Sequence, residues 1–322
     1  MAQREATMTT SELYRAPRPT ISFELYPPRT PRGEEQVHET AARLAAGEAD
    51  YFSVTYGASG TTSERSQALV EHLLAETRVP VIAHLTCVGR SRSQLRDVVS
   101  GLLDAGVRDF LALRGDPPEG GEWSPGGDGL ARACDLVALI REVEAERFGL
   151  PPASPVERLV ARRTRRDGVS IAVAAYPGYT VPGLSGEFQV RDDELTALRA
   201  KQDAGADFAI TQVFFDVEAY VALQRAARAA GIVLPLVPGV LPLTDPDRIR
   251  RLCALNRIPE PAELLAELEA AGGPEEAYAL GVRRTADLVR GVLAAGAPGL
   301  HLYTFNQHAA VTRLLDEVLA PA

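Results

Sequence analysis

Short apolar runs alternate along this chain with longer stretches in which apolar positions recur every three or four residues, the periods of strands and of amphipathic helices. The runs predict strands at 21–26 (ISFELY), 51–56 (YFSVTY), 80–86, 108–113, 169–175, 207–213, 233–238 and 299–304. The longer patterns predict helices near 33–47, 62–77, 92–105, 128–147, 191–205, 216–230, 245–255 and 275–296, with a last one at 307–319. Eight strands separated by helices form the repeat of a closed parallel barrel, so the expected fold is α/β, a (β/α)8 TIM barrel in a single domain over 20–322.

Punctuation supports the repeat. Gly106, Gly231 and Gly296 each fall just past a helical pattern, where a left-handed cap favours glycine, and LLDAGVRDF, KQDAGADFA and VLAAGAPGL repeat one helix-to-strand junction. An open doubly wound sheet is the competing architecture, but no strand–GxGxxG–helix opening appears in the first unit. Two segments exceed a minimal barrel: 148–168, in which Arg158, Arg162 and Arg166 share a helical face, and 256–274, which predicts an extra helix. The arginine face reads first as a solvated surface, with a phosphate or a neighbouring subunit as the alternative.

Composition narrows the function. With 322 residues, 46% hydrophobic and 24% charged, the chain can bury a large core, and its net charge of −9 and pI near 5.2 argue against nucleic acid or an anionic membrane as partner. No apolar run is long enough to span a membrane. Residues 1–19 are polar and lack the apolar centre of a signal peptide, which predicts a disordered leader on a cytoplasmic protein. Cys87, Cys134 and Cys253 form no CxxC and read as reduced core residues. Five histidines, His38, His72, His84, His301 and His308, show no paired spacing, so no metal site is expected. Lys201 is the only lysine among 34 basic residues.

Candidate chemistry gathers at the strand ends. Glu24 is a carboxylate within an apolar strand that Pro27-Pro28 terminates. Either an arginine neutralises it, or an apolar pocket lifts its pKa so that it can donate a proton near neutral pH. Barrel enzymes place reactive groups on the C-terminal rim. The polar residues there are Glu24, Thr55, Tyr56, His84, Thr86, Arg114, Asp116, Tyr176, Gln212 and the run Tyr303 to Asn306. In Arg114-Gly115-Asp116 a glycine separates a cation from an anion and lets a ligand approach the backbone. The following EGGEWSPGGDG lacks the GK[ST] ending of a phosphate loop and reads as a lid-like loop.

SFELYPPRT at 22–30, SVTYGASG at 53–60, AHLT at 83–86, LALRGDPP at 111–118, VAAYP at 173–177, LRAKQDAGADFAITQVFFD at 198–216, PLVPGVLPLT at 235–244 and GLHLYTFN at 299–306 occur in this order, spread over the whole barrel. Together they resemble methylenetetrahydrofolate reductase of the single-domain bacterial type. The resemblance implies a cytoplasmic FAD enzyme that passes hydride from NADH or NADPH to 5,10-methylenetetrahydrofolate, giving 5-methyltetrahydrofolate for methionine synthesis. It also implies roles. Glu24 matches the general acid, Asp116 the carboxylate beside flavin and folate, and Gln212 the glutamine that contacts folate. Leu252 falls near the place of an aromatic that stacks on the pterin. Thr55, His84, Arg114, Gly115, Tyr176 and Lys201 match the flavin site. Relatives form dimers or tetramers, which leaves a homo-oligomer open here.

The chain departs from that pattern mainly around the cofactor. Gly178-Tyr179-Thr180-Val181 follow Tyr176-Pro177 where a glutamate and a histidine are usual, and Arg132 precedes the Ala133 run where an aromatic is usual. Glu194 and Ala197 stand at an acidic and an amide position of that site. Two alternatives therefore stay open: direct hydride transfer without flavin, and a catalytically silent folate-binding barrel.

Overall fold

A computed structural model of the chain describes residues 9–319, apart from 48, 57–59, 117–122, 126, 150–167, 181–187 and 257. The barrel strands are β1 (Thr20–Leu25), β2 (Tyr51–Val54), β3 (Val81–Thr86), β4 (Asp109–Leu113) and β5 (Ser170–Ala175). After a two-residue antiparallel pair, β6 (Tyr179–Thr180) and β7 (Phe188–Gln189), come β8 (Phe208–Thr211), β9 (Leu236–Val237), β10 (Gly239–Val240) and β11 (Gly299–Tyr303). Every pairing in the main sheet is parallel, in the order β10-β11-β1-β2-β3-β4-β5-β8-β9. Its two ends are adjacent in sequence. Pro238 has no N–H to donate, so it splits one strand into β9, which pairs with β8, and β10, which pairs with β11. The expected TIM barrel closes through that proline.

Each helix forms for a local reason and buries one stripe. Thr30 Oγ1 accepts the Gly33 N–H at the start of Pro31–Ala45, and Val37, Thr40, Ala41 and Leu44 face the sheet at helical spacing. Ser91 and Gln94 make a reciprocal capping box ahead of Arg92–Asp104, which buries Leu95, Val99, Leu102 and Leu103. The expected left-handed caps are present: Gly106, Gly231 and Gly296 have φ of +93°, +72° and +86°. The extra helix lies at Ala262–Ala270, before Pro274–Ala294. Arg158, Arg162 and Arg166 fall outside the described residues.

Two apolar layers hold the barrel. One lies between sheet and helices; the other fills the interior with Tyr51, Ile82, Leu111, Ala172, Phe208, Ile210 and Val237. Beneath the inner layer sits a short helix, Thr10–Leu13, where a disordered leader was expected. Leu13 and Tyr14 pack against the interior cluster, and the Tyr14 and Tyr51 hydroxyls lie 2.6 Å apart. The leader expectation is thus corrected from residue 9 onward: this segment is seated under the barrel because its side chains find partners there.

Candidate active site

Alternation along β1 turns Ser22 and Glu24 into the barrel, and the register sets Glu24 beside Ser53 of β2 and Tyr303 of β11. His84 of β3 and His301 of β11 complete the group. Their Nε2 atoms lie 3.8 Å and 3.6 Å from the same oxygen, Glu24 Oε2. All three side chains are buried: Glu24 is 7% exposed, His84 4% and His301 0%. No arginine pairs with Glu24 among the described residues, so the buried Glu–Arg pair is not what forms.

The electrostatics reverse one expectation. Burial pushes the Glu24 carboxyl up, but the hydrogen-bonding pull of His301 and the charges of His84 and His301 outweigh it, leaving the carboxyl below its ordinary range. Burial also drives His84 down to about 4, against the pull of Glu24. His84 is therefore neutral near pH 7, and hydrogen bonding from His301 and Tyr26 supports the carboxylate. The strand around Glu24 is apolar, as its sequence says; the imidazoles reach it from β3 and from β11, which the chain builds at its far end. Tyr26 and Tyr303 are both raised, chiefly by burial and then by the charge of Glu24, so both hydroxyls keep their hydrogens.

The other candidates surround this centre. Thr55 is half-buried just past β2; its N–H bonds to Leu25 O at 3.0 Å and its carbonyl accepts from Ser66 Oγ at 2.9 Å. Past β4, Arg114 lies 5.0 Å over the Trp123 ring, Gly115 takes φ +82°, and Asp116 is exposed. Tyr176 is 42% exposed, and burial, Glu194 and Asp116 raise its hydroxyl while Arg114 opposes them, which puts these groups within electrostatic reach of one another. Lys201, on the helix Asp192–Ala204, donates from Nζ to Ala174 O at 2.8 Å, and burial lowers its pKa against the pull of Glu194.

Gln212 follows β8 and lines a cavity of about 620 Å³ with Tyr176, Phe188, Glu194, Phe215 and Asn256. Its Nε2 donates to Asn256 Oδ1 at 2.7 Å, and its Oε1 accepts the Val213 N–H at 2.9 Å. Leu252, one turn before Asn256, is half-buried against a satellite cluster that includes Val213, Leu241 and Ile249, and does not line this cavity. Glu24 lies deeper, outside the cavity's lining.

Asn256 and His301 were not expected at the site. In Leu300-His301-Leu302-Tyr303 the polar residues alternate, so His301 shares the face of Tyr303, a rim residue named from sequence. That alternation was the available signal. No comparable signal marks Asn256.

A parallel barrel whose C-terminal rim carries a buried carboxylate, two imidazoles and an adjoining cavity has the layout of a barrel enzyme. The family model described as methylenetetrahydrofolate reductase matches residues 10–318, and the chain belongs to that family. It is 31% identical over 310 residues to "Methylenetetrahydrofolate reductase 1" of Schizosaccharomyces pombe, covering 94% of this chain and 47% of that protein. Against the 5,10-methylenetetrahydrofolate reductase of Pectobacterium carotovorum it is 31% identical over 288 residues, covering 89% of this chain and 86% of the relative. The chain thus spans about half the length of its eukaryotic relatives and most of that of the bacterial one. A solved structure of an uncharacterized Clostridium thermocellum protein that binds two copies of 5-methyl-5,6,7,8-tetrahydrofolic acid has the same fold, with TM-score 0.61, 13% identity and coverage of 97% and 98%.

The residues present fit the flavin that the resemblance implies. His84 Nε2 is a buried polar atom with no hydrogen-bond partner, and Lys201 has donors beyond its bond to Ala174. A Cβ at Gly115 would come within 3.0 Å of Thr86 and Val88, so only glycine keeps the backbone open there.

Proposed function

We propose that this chain is a cytoplasmic reductase that converts 5,10-methylenetetrahydrofolate to 5-methyltetrahydrofolate, taking hydride from NADH or NADPH through FAD and supplying methyl groups for methionine synthesis. The observation that carries the reading is the buried Glu24 carboxyl, with no arginine partner among the described residues and flanked by imidazoles, in a chain of this family.

FAD, when bound, supplies the two-electron relay between nicotinamide and folate. Thr55, His84, Arg114, Gly115, Tyr176 and Lys201 would hold it, with the Arg114 fork and the Lys201 ammonium suited to its phosphates. On the folate side, opening the five-membered ring leaves a nitrogen that needs a proton, and Glu24 provides it. Asp116 steadies the positive charge that develops on the one-carbon unit, and Gln212 offers both a donor and an acceptor to the pterin.

The test is consumption of NADH or NADPH by purified protein with and without methylenetetrahydrofolate, together with its visible spectrum. Folate-dependent oxidation by a yellow protein supports the whole reading. Turnover by a colourless protein would replace the flavin with direct hydride transfer. A flat trace after FAD is added would leave a folate-binding barrel without activity.

A further inference from the structure

An acid that donates at neutral pH needs a proton to give, yet the surroundings of Glu24 hold its carboxyl below the ordinary range. Hydrogen accounting around His301 shows where that proton is kept. Ser22 Oγ lies 2.9 Å from the carbonyl oxygen of Leu300, which can only accept, so the single hydroxyl hydrogen of Ser22 points there. Ser22 Oγ is also 2.9 Å from His301 Nδ1. With its own hydrogen committed, the serine oxygen accepts, and Nδ1 must carry the hydrogen. Neutral His301 therefore presents a bare Nε2.

That bare nitrogen faces Glu24 Oε2 at 3.6 Å and Ser53 Oγ at 3.4 Å. If Glu24 were ionised and His301 neutral, two lone pairs would oppose each other in a largely buried place, where Glu24 is 7% and His301 0% exposed. One proton between them removes the conflict, either as a carboxylic acid donating to Nε2 or as a carboxylate accepting from an imidazolium. The separation is about 1 Å beyond a formed hydrogen bond, a gap that side-chain rotation can close.

We infer that Glu24 and His301 form a dyad that holds one shared proton, with His301 as the positioning residue that retains it for the acid step. The inference rests on the proposed role of Glu24. When Glu24 gives its hydrogen to the folate nitrogen, an N–H bond forms as the carboxyl O–H bond breaks. The dyad is then one proton short and recovers it from water.

The remaining groups that face the pair are Tyr26 just past β1, His84 on β3, and Tyr51 and Tyr303 on β2 and β11. Tyr51 stacks on the His301 ring with centroids 6.3 Å apart, and Arg248 acts on Tyr26 from further out. Burial keeps all three hydroxyls protonated and His84 neutral near pH 7. That leaves Glu24 and His301 as the pair between which the geometry places the proton.

The test is nitrogen NMR of protein labelled at histidine, titrated as wild type and as Glu24→Gln. A shared proton makes neutral His301 an Nδ1–H tautomer, and removing the carboxylate lowers the pH of its titration by about one unit or more. An Nε2–H tautomer, or a titration unmoved by Glu24→Gln, overturns the dyad and leaves Ser53 as the partner of Nε2. In a second arm, His301→Gln should lower folate-dependent kcat by about tenfold or more near pH 8 and much less near pH 6, with little change in KM. An equal loss at both pH values assigns His301 a structural role and also overturns the dyad. The NMR arm needs no turnover, so loss of the reductase reading and loss of the dyad are separable.

Discussion

Thr10 gives both its backbone N–H and its hydroxyl hydrogen to one oxygen of Asp109, each at 2.8 Å. Ser170 joins them, its Oγ 3.0 Å from Thr10 Oγ1 and accepting the Ser11 N–H at 3.1 Å. Asp109 and Ser170 open β4 and β5, so these contacts seat the N-terminal helix on the end of the barrel opposite the candidate site. The carboxylate is 4% exposed, and its burial lifts the carboxyl to about 7 although both Thr10 donors pull the other way.

The shift sets a pH dependence. A carboxyl raised from 3.8 in the unfolded chain to about 7 when folded binds its proton more tightly in the native state. Its contribution to stability is complete below the unfolded value and is lost as pH rises through the folded one. Asp109→Asn cannot titrate, so it should gain stability relative to wild type between about pH 4 and pH 8, by up to a few kcal/mol. Urea midpoints for both proteins across that range read the difference; parallel curves would mean that Asp109 ionises at its ordinary pKa.

A buried cation, Arg141, ties the helix Ala133–Phe148 to the same end of the barrel. Arg141 donates to Glu144 Oε2 at 2.7 Å, Asp207 Oδ2 at 2.5 Å, Val169 O at 2.7 Å and Gly205 O at 2.9 Å. The two carboxylates also accept the N–H groups of Val169 and Ile171, each at 2.7 Å. Arg141→Met leaves both carboxylates without their cation and should cost about 3–5 kcal/mol, whereas an exposed pair such as Arg43 with Glu39 is worth at most about 1 kcal/mol. Arg141→Lys keeps the charge but loses the fork, so it should fall between. Denaturation midpoints rank the variants, and an Arg141→Met protein as stable as wild type would show that the network confers specificity and not stability.

The barrel was legible because its information is local. Alternation in segments such as Val81–Thr86 and glycines such as Gly106 and Gly231 mark each unit without reference to the rest of the chain. What escaped depends on distant partners. The stretch from Thr9 to Tyr14 reads as a polar leader until Asp109 and Ser170, about a hundred residues or more away, accept its hydrogens. Glu24 was legible as a candidate acid, but the direction of its shift was not, since His84 and His301 meet it only through barrel closure. The break at Pro238 belongs to the same class: two prolines near a short apolar run were visible, but not that one of them divides a strand between two neighbours.

Closure makes its own demand on Gly239. A Cβ there would lie 2.2 Å from Thr211 O and 2.9 Å from the Tyr303 hydroxyl, which itself bonds to Thr211 O at 3.2 Å. Backbone cannot yield as a flexible side chain does, so Gly239→Ala should push β10 away from β8 and displace Tyr303 from beside Glu24. A loss of more than about 2 kcal/mol in stability is expected, with folate turnover falling further than the stability change explains. If Gly239→Ala melts and turns over as wild type does, the seam is softer than this packing implies.

Substitution at Glu24 separates the two halves of the proposed reaction. Folate reduction requires a proton as the ring opens, whereas oxidation of NADH by an artificial acceptor does not draw on that carboxyl. Glu24→Gln keeps size and hydrogen-bonding capacity but cannot donate as an acid, and it removes the negative charge that faces His84 and His301. Folate turnover should fall by about a hundredfold or more, while the rate with the artificial acceptor changes far less. Packing makes the contrast sharp: the side chain is 9% exposed among the barrel strands, so the amide occupies the same place. An equal fall in both rates would instead make Glu24 a structural carboxylate whose loss disturbs the barrel interior, and the proton would have to come from elsewhere on the rim.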